Sequence, residues 1–291
     1  MNSTKINCFA LIVSSIAAVS IALMAEERNL VTLVCAQSSQ ACYCERVTAL
    51  QRLGTSLATN DIESLYAFLS SHADSQPVLN VQEQASLKND ILNVLVAQQR
   101  LPDDLGQNML GIVRDNDQDA MWRVVCLNHF APYYKRRWLT RPVAGDNDAF
   151  ADERAAIESE VRQDAASTND EFAVAGMMAM DGISVGNGNV SRQEVATLAV
   201  QYALDGTRGP GLRAKSIDIA AKAGKKDILP VVRMCAQSSD EAGLQHTAIR
   251  ALGVLGTADD KATVQGLARS ANRGVRSAAQ EALRRFAERG L

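Results

Sequence analysis

A chain of 291 residues that is 47% hydrophobic but only 4% aromatic must fill its interior with small and aliphatic side chains, which suits helices that approach one another closely. A formal charge of −3 withholds the broad positive field that a dedicated nucleic-acid binder uses, so no nucleic-acid partner is expected. Any anion binding has to be local.

At the N-terminus Lys5 precedes an apolar run from Cys8 to Ala25, which ends at Glu26-Glu27. A weakly basic start, an apolar middle and small residues near the end fit a secretory signal, with cleavage after Ala22 or Ala25. An uncleaved anchor is the alternative, because the run is near the lower limit of about 17 residues for a helix that spans a bilayer. The expectation is an extracytoplasmic protein, periplasmic or secreted if bacterial, or one held to the membrane by residues 8–25. Residues 1–25 are thus set apart as leader or anchor from residues 26–291.

The remainder is repetitive. CAQSS occurs at Cys35–Ser39 and again at Cys235–Ser239, and each copy leads into a stretch ending in Leu-Gly-Thr, at Leu53–Thr55 and Leu255–Thr257. First helices share one face: Val31, Val34 and Cys35; Leu65, Phe68 and Leu69; Val195, Leu198 and Ala199; Val231, Met234 and Cys235; Val264, Leu267 and Ala268. Second helices show Leu244, Ala248, Ala251, Leu252 and Leu255, then Val275, Ala279, Ala282, Leu283 and Phe286, each 31 residues further on. Breakers such as Leu101-Pro102 and Gly209-Pro210-Gly211 punctuate the helices. The fold predicted is all-α, a solenoid of about six to seven antiparallel helix pairs following the N-terminal signal or anchor helix.

These patterns resemble HEAT repeats, including the HEAT-like units of phycobilisome lyases, most clearly over Leu212–Ala287. Asp117, six residues before Arg123, is similar to the Asp and Arg with which HEAT units link neighbouring turns. The resemblance implies a surface for holding other molecules and says little about activity.

Residues that might carry chemistry are sparse. Cys35 and Cys235 fall at one repeat position and, like Cys126, read as small buried hydrophobes. Cys42-Tyr43-Cys44 lies at a turn, so a disulfide from Cys35 to Cys42 or to Cys44 is a candidate. His72, His129 and His246 have no metal-ligand neighbours at helical spacing and read as surface or groove residues; no metal and no cofactor are expected. Asp115, Asp117 and Asp119 resemble the start of a calcium loop, but Ala120 stands where the loop needs Gly, so helix capping is the better reading. No nucleophile-elbow signature surrounds any Ser, and no enzyme is expected.

The most suggestive segment is an insertion near residues 131–150. Four of the chain's seven Tyr and Trp residues lie between Trp122 and Trp138, and Lys135, Arg136, Arg137 and Arg141 add positive charge. This predicts a contact site with Tyr133, Tyr134 and Trp138 as anchors and the cations pairing with carboxylates or phosphates; core packing of the aromatic residues is the competing reading. The leading expectation is an exported, non-catalytic scaffold that binds another protein. The alternatives are an enzyme or chaperone of the HEAT-like lyase type acting on a tetrapyrrole or thiol, and a membrane-anchored structural element.

Overall fold

The computed structural model describes residues 30–36, 41–72, 79–140, 149–185, 189–238 and 240–291. The expected leader and Arg141 lie outside them. All regular structure among the described residues is helical, and none of these helices is long and apolar enough to cross a membrane. The chain divides into two compact units, Met1–Arg141 and Pro142–Leu291, and the boundary falls within the stretch expected to be an insertion.

In the first unit a helical segment at residues 30–34 precedes α1 (Tyr43–Gln51), α2 (Thr59–Leu69), α3 (Val81–Ala97), α4 (Leu105–Arg114), α5 (Ala120–Asn128) and α6 (Phe130–Tyr134), which runs into a π-helical turn, Lys135–Leu139. Side chains start these helices by taking up free amides: Asn80 and Glu83 form a reciprocal box at α3, and Asp119 Oδ1 accepts from the Trp122 amide at α5. The capping role read for the aspartates is thus filled by Asp119. Helix α3 packs between α1 and α5, while α2 lies on α3 and α4 on α5. The core is Leu65, Phe68 and Leu69 of α2, Leu87, Ile91 and Leu95 of α3, Met109 and Val113 of α4, and Trp122 of α5.

The last carbonyls of α2 and the turn after it have no partners within the helix. Other elements supply the donors: Trp122 Nε1 to Leu69 O at 3.2 Å, Gln118 Nε2 to Ser70 O at 2.8 Å, Lys88 Nζ to Ser71 O at 2.5 Å, and Gln84 Nε2 to His72 O at 3.3 Å. Burial holds the Lys88 ammonium down to about 8, and its charge lies 5.1 Å from the centre of the Trp122 ring.

The second unit contains α7 (Ala151–Ala165), α8 (Asp170–Ile183), α9 (Arg192–Leu204), α10 (Pro210–Lys222), a 3₁₀ turn (Lys226–Ile228), α11 (Leu229–Gln237), α12 (Ala242–Leu255), α13 (Asp260–Leu267) and α14 (Arg273–Glu288). Asn169, Ser191 and Asn272 cap α8, α9 and α14, and Pro210 occupies the first turn of α10, where its missing N–H costs nothing. These helices form four pairs, and the second members α8, α10, α12 and α14 also pack on one another in sequence. The first members rest mainly on their own partners, so the second helices form the tighter inner layer of this unit. Close approach needs small residues. A Cβ added to Gly253 of α12 would lie 2.7 Å from Ala282 Cα of α14, and Ala248, Ala251, Ala279 and Ala282 are buried around it.

The repeat face predicted for the first helices slides between copies. Val31 and Val34 are buried beside a half-buried Cys35, whereas in the second CAQSS copy Val232, Cys235 and Ala236 face inward. Met234, read as an inward residue, is 59% exposed, because that helix is rotated by about one position relative to the first copy. The second-helix face holds better: Leu244, Ala248, Ala251, Leu252, Leu255, Val275, Ala279, Ala282 and Phe286 are buried, with Leu283 half-buried.

Candidate functional site

The aromatic and basic segment expected to contact a partner is built as core. Tyr133 and Tyr134 are buried and Trp138 is only 8% exposed. The Trp138 ring meets Tyr133 edge-on at 5.9 Å and Tyr134 tilted at 4.7 Å. The sequence contained the reason: Phe130, Tyr133, Tyr134 and Trp138 recur at helical spacing, and α6 with its π-helical turn puts all four on the inward side. The arginines serve the same unit. Arg136 donates to the Val96 carbonyl and, at 2.7 Å, to the Gln98 carbonyl at the end of α3. Arg137 donates to Pro102 O at 2.5 Å and to the Tyr133 hydroxyl at 3.1 Å, with Asp103 at 3.4 Å. Among the described residues of this segment no Tyr or Trp is exposed, and Lys135 faces solvent.

The cysteines Cys35, Cys42, Cys44, Cys126 and Cys235 are free thiols in the structure. Cys35, read as a bridge partner, turns its sulfur towards Ser64 O at 3.5 Å, and burial pushes this thiol up to about 12. Cys126 is fully buried and donates to Met109 O, and burial raises it strongly. His129, read as a surface or groove residue, is buried against Asn89 Oδ1 at 3.0 Å, and burial holds it down to about 4. No group of three candidate metal ligands occurs among the described residues.

A solvent-accessible groove of about 710 Å³ lies between α12 and α14 of the second unit. Gly243, His246, Thr247 and Arg250 of α12 form one wall, and Gly274, Ser277, Ala278 and Glu281 of α14 form the other, with Ala214 of α10 at one end. Each α14 residue stands 31 positions after its α12 counterpart, so one face of two successive second helices lines the groove. A Cβ at Gly274 would run into the His246 imidazole, so the glycine makes room for this ring. His246 Nε2 is buried without a hydrogen-bond partner among the described residues. Arg250 is exposed and reaches Thr247 Oγ1 at 3.4 Å. Opposite it, Glu281 accepts from Arg284 at 2.7 Å and from Arg285 at 2.9 Å, and these bonds draw its carboxyl down to about 2. No hydrogen bond joins His246 to Ser277 or Glu281, so these three residues do not form a nucleophile, base and acid relay.

The family described as HEAT repeats matches residues 200–284, which span the end of α9 through most of α14 and include every residue that lines the groove. Over this stretch the chain is similar to HEAT repeats. No curated protein matches the chain. Among solved structures it is similar to human deoxyhypusine hydroxylase in complex with glycerol, at 16% identity and a TM-score of 0.34, over 92% of this chain and 98% of that one.

The links between successive helix pairs were not found from the Asp117 and Arg123 spacing. Arg123 Nε donates to Val113 O at 2.8 Å within its own pair. In the second unit Arg162 bonds to Glu194 and Asn189 O, Arg208 to Asp170, Ser167 O and Thr168 O, Arg233 to Asp260, and Arg289 to Gly253 O and Gly256 O. Each cation reaches from one helix pair of this unit to the next, 27 to 41 residues away in sequence.

Proposed function

We propose that the chain is a non-catalytic scaffold that holds a segment of another protein in the groove between α12 and α14. The observation that supports this reading most is the 31-residue recurrence of the lining. An extended segment crossing successive repeats meets equivalent positions at each step. Gly243 has open space beside it, and Arg250 stands exposed on the same helix. Arg250 is the exposed cation of the lining, while Glu281 is already engaged by Arg284 and Arg285, so Arg250 can pair with an acidic side chain of the partner. The location we propose is extracytoplasmic, on the basic-then-apolar pattern from Lys5 to Ala25, with retention of residues 8–25 as an anchor the alternative.

A photo-crosslinking residue in place of Ser277 tests the groove, with Gln265 on α13, an exposed position of the outer layer, as control. Irradiation in the native host should give a discrete protein adduct from position 277 that is weakened by Arg250→Glu and absent from position 265. The same adducts from both positions, or no response to Arg250→Glu, would remove the proposal.

A further inference from the structure

Cys42 is the N-cap of α1, with extended backbone (φ −73°, ψ 166°), and Cys44 lies in the first helical turn. The change from extended to helical backbone folds the second side chain back towards the first, and the two sulfurs lie 2.6 Å apart. Non-bonded heavy atoms rest at about 3.5 Å or more, so this pair stands inside ordinary contact distance. Both residues are exposed, whereas Cys126 and Cys235 are buried and Cys35 is directed at Ser64 O.

Arg46 lies one turn further on. Its guanidinium is buried and held by Ala41 O at 3.2 Å and Val34 O at 3.3 Å, and Nη2 has no partner among the described residues. The Cys44 thiol is raised chiefly by its hydrogen bond to the Cys42 sulfur, which leaves the proton on Cys44.

We propose that Cys42 and Cys44 are a dithiol–disulfide pair that exchanges with an external disulfide, either a small molecule or a protein. Cys42 gives up its proton to solvent and attacks one sulfur of the incoming disulfide, forming a mixed disulfide and releasing one thiolate, which takes up a proton. Cys44 then attacks the Cys42 sulfur, its proton leaves with the departing group, and the Cys42–Cys44 bond closes. Two electrons pass from the pair to the incoming disulfide, which becomes two thiols. The exchange is independent of the groove reading.

Oxidised and reduced glutathione are the probe. The full chain is equilibrated over a range of their ratios, quenched in acid, alkylated and weighed intact, with fragmentation to locate the linkage. A species lighter by two hydrogens, bridged between Cys42 and Cys44 and restored by dithiothreitol, is expected. Cys42→Ser and Cys44→Ser should each accumulate a single glutathione adduct instead, while Cys35→Ser leaves the bridge unchanged. Alkylation of both thiols at every ratio, a stable double glutathione adduct on the natural chain, or a bridge from Cys35 to either residue would overturn the proposal.

Discussion

Arg208 and Asp170 fasten one helix pair to the next: the Arg208 guanidinium donates to Asp170 Oδ1 at 3.0 Å while Asp170 Oδ2 accepts from the Gly209 amide at 2.5 Å. The same guanidinium reaches Thr168 O and Ser167 O and lies 4.9 Å from the centre of the Tyr202 ring. One side chain therefore satisfies the turn before α8 and anchors the turn before α10. Because charged hydrogen bonds here are partly shielded, Arg208→Ala should destabilise the protein by about 2 kcal/mol. Thermal unfolding should show the midpoint falling by several degrees, and Arg208→Lys should recover only part of it. A change below about 0.5 kcal/mol would mean the pair behaves as an ordinary surface ion pair.

Trp138 separates packing from polar satisfaction. Truncation to Ala should cost about 3 to 5 kcal/mol, since the ring fills space beside Tyr133 and Tyr134. Its Nε1 is buried with no partner among the described residues, so Trp138→Phe removes an unsatisfied donor and should cost less than about 1.5 kcal/mol. Chemical denaturation of the two variants checks this. Equal losses would show that the indole nitrogen has a partner.

Two glycines in helices should respond with opposite sign to Ala. At Gly253 the new methyl group meets Ala282 at the crossing of α12 and α14, which should cost about 1 to 3 kcal/mol. At Gly111 of α4 nothing lies within 4 Å, and the gain in helix propensity should stabilise by about 0.5 to 1 kcal/mol. Unfolding midpoints measured side by side decide it, and a stabilising Gly253→Ala would contradict the close crossing.

His129 predicts an acid limb in stability. Burial lowers its folded-state value from 6.5 to about 4, so between these pH values the unfolded chain takes a proton that the folded chain refuses. The contribution is complete above pH 6.5, falls as pH drops towards 4, and is lost below it, a change on the order of 3 kcal/mol. His129→Gln should flatten that limb in denaturation curves taken from pH 7 to pH 4. An unchanged slope would place the titration elsewhere.

How much could be read beforehand depended on the range of the interaction. The face at Leu244, Ala248 and Leu252 and its copy 31 residues later were legible because helix periodicity is local and the copies repeat it. The groove lining followed the same 31-residue step at Gly243, His246, Thr247 and Arg250, yet it was not singled out, since small and polar residues on a helix do not announce a concavity. For the segment from Phe130 to Trp138 the sequence supports both a contact site and core packing, because aromatic and basic residues favour interfaces as well. Its own helical spacing pointed inward, and that signal proved the better one.

By itself the sequence determined that the described chain is helical, that its helices come in pairs, and which residues of the second helices face inward, because backbone hydrogen bonding and apolar periodicity act over a few residues. Only the tertiary structure decided that Arg136 and Arg137 bond to carbonyls of their own unit, that Arg208 fastens adjacent pairs, that Met234 faces out, and that Cys42 lies against Cys44 rather than Cys35. Those outcomes depend on the rotation of each helix and on where its end meets a neighbour. Packing between elements far apart in sequence sets both.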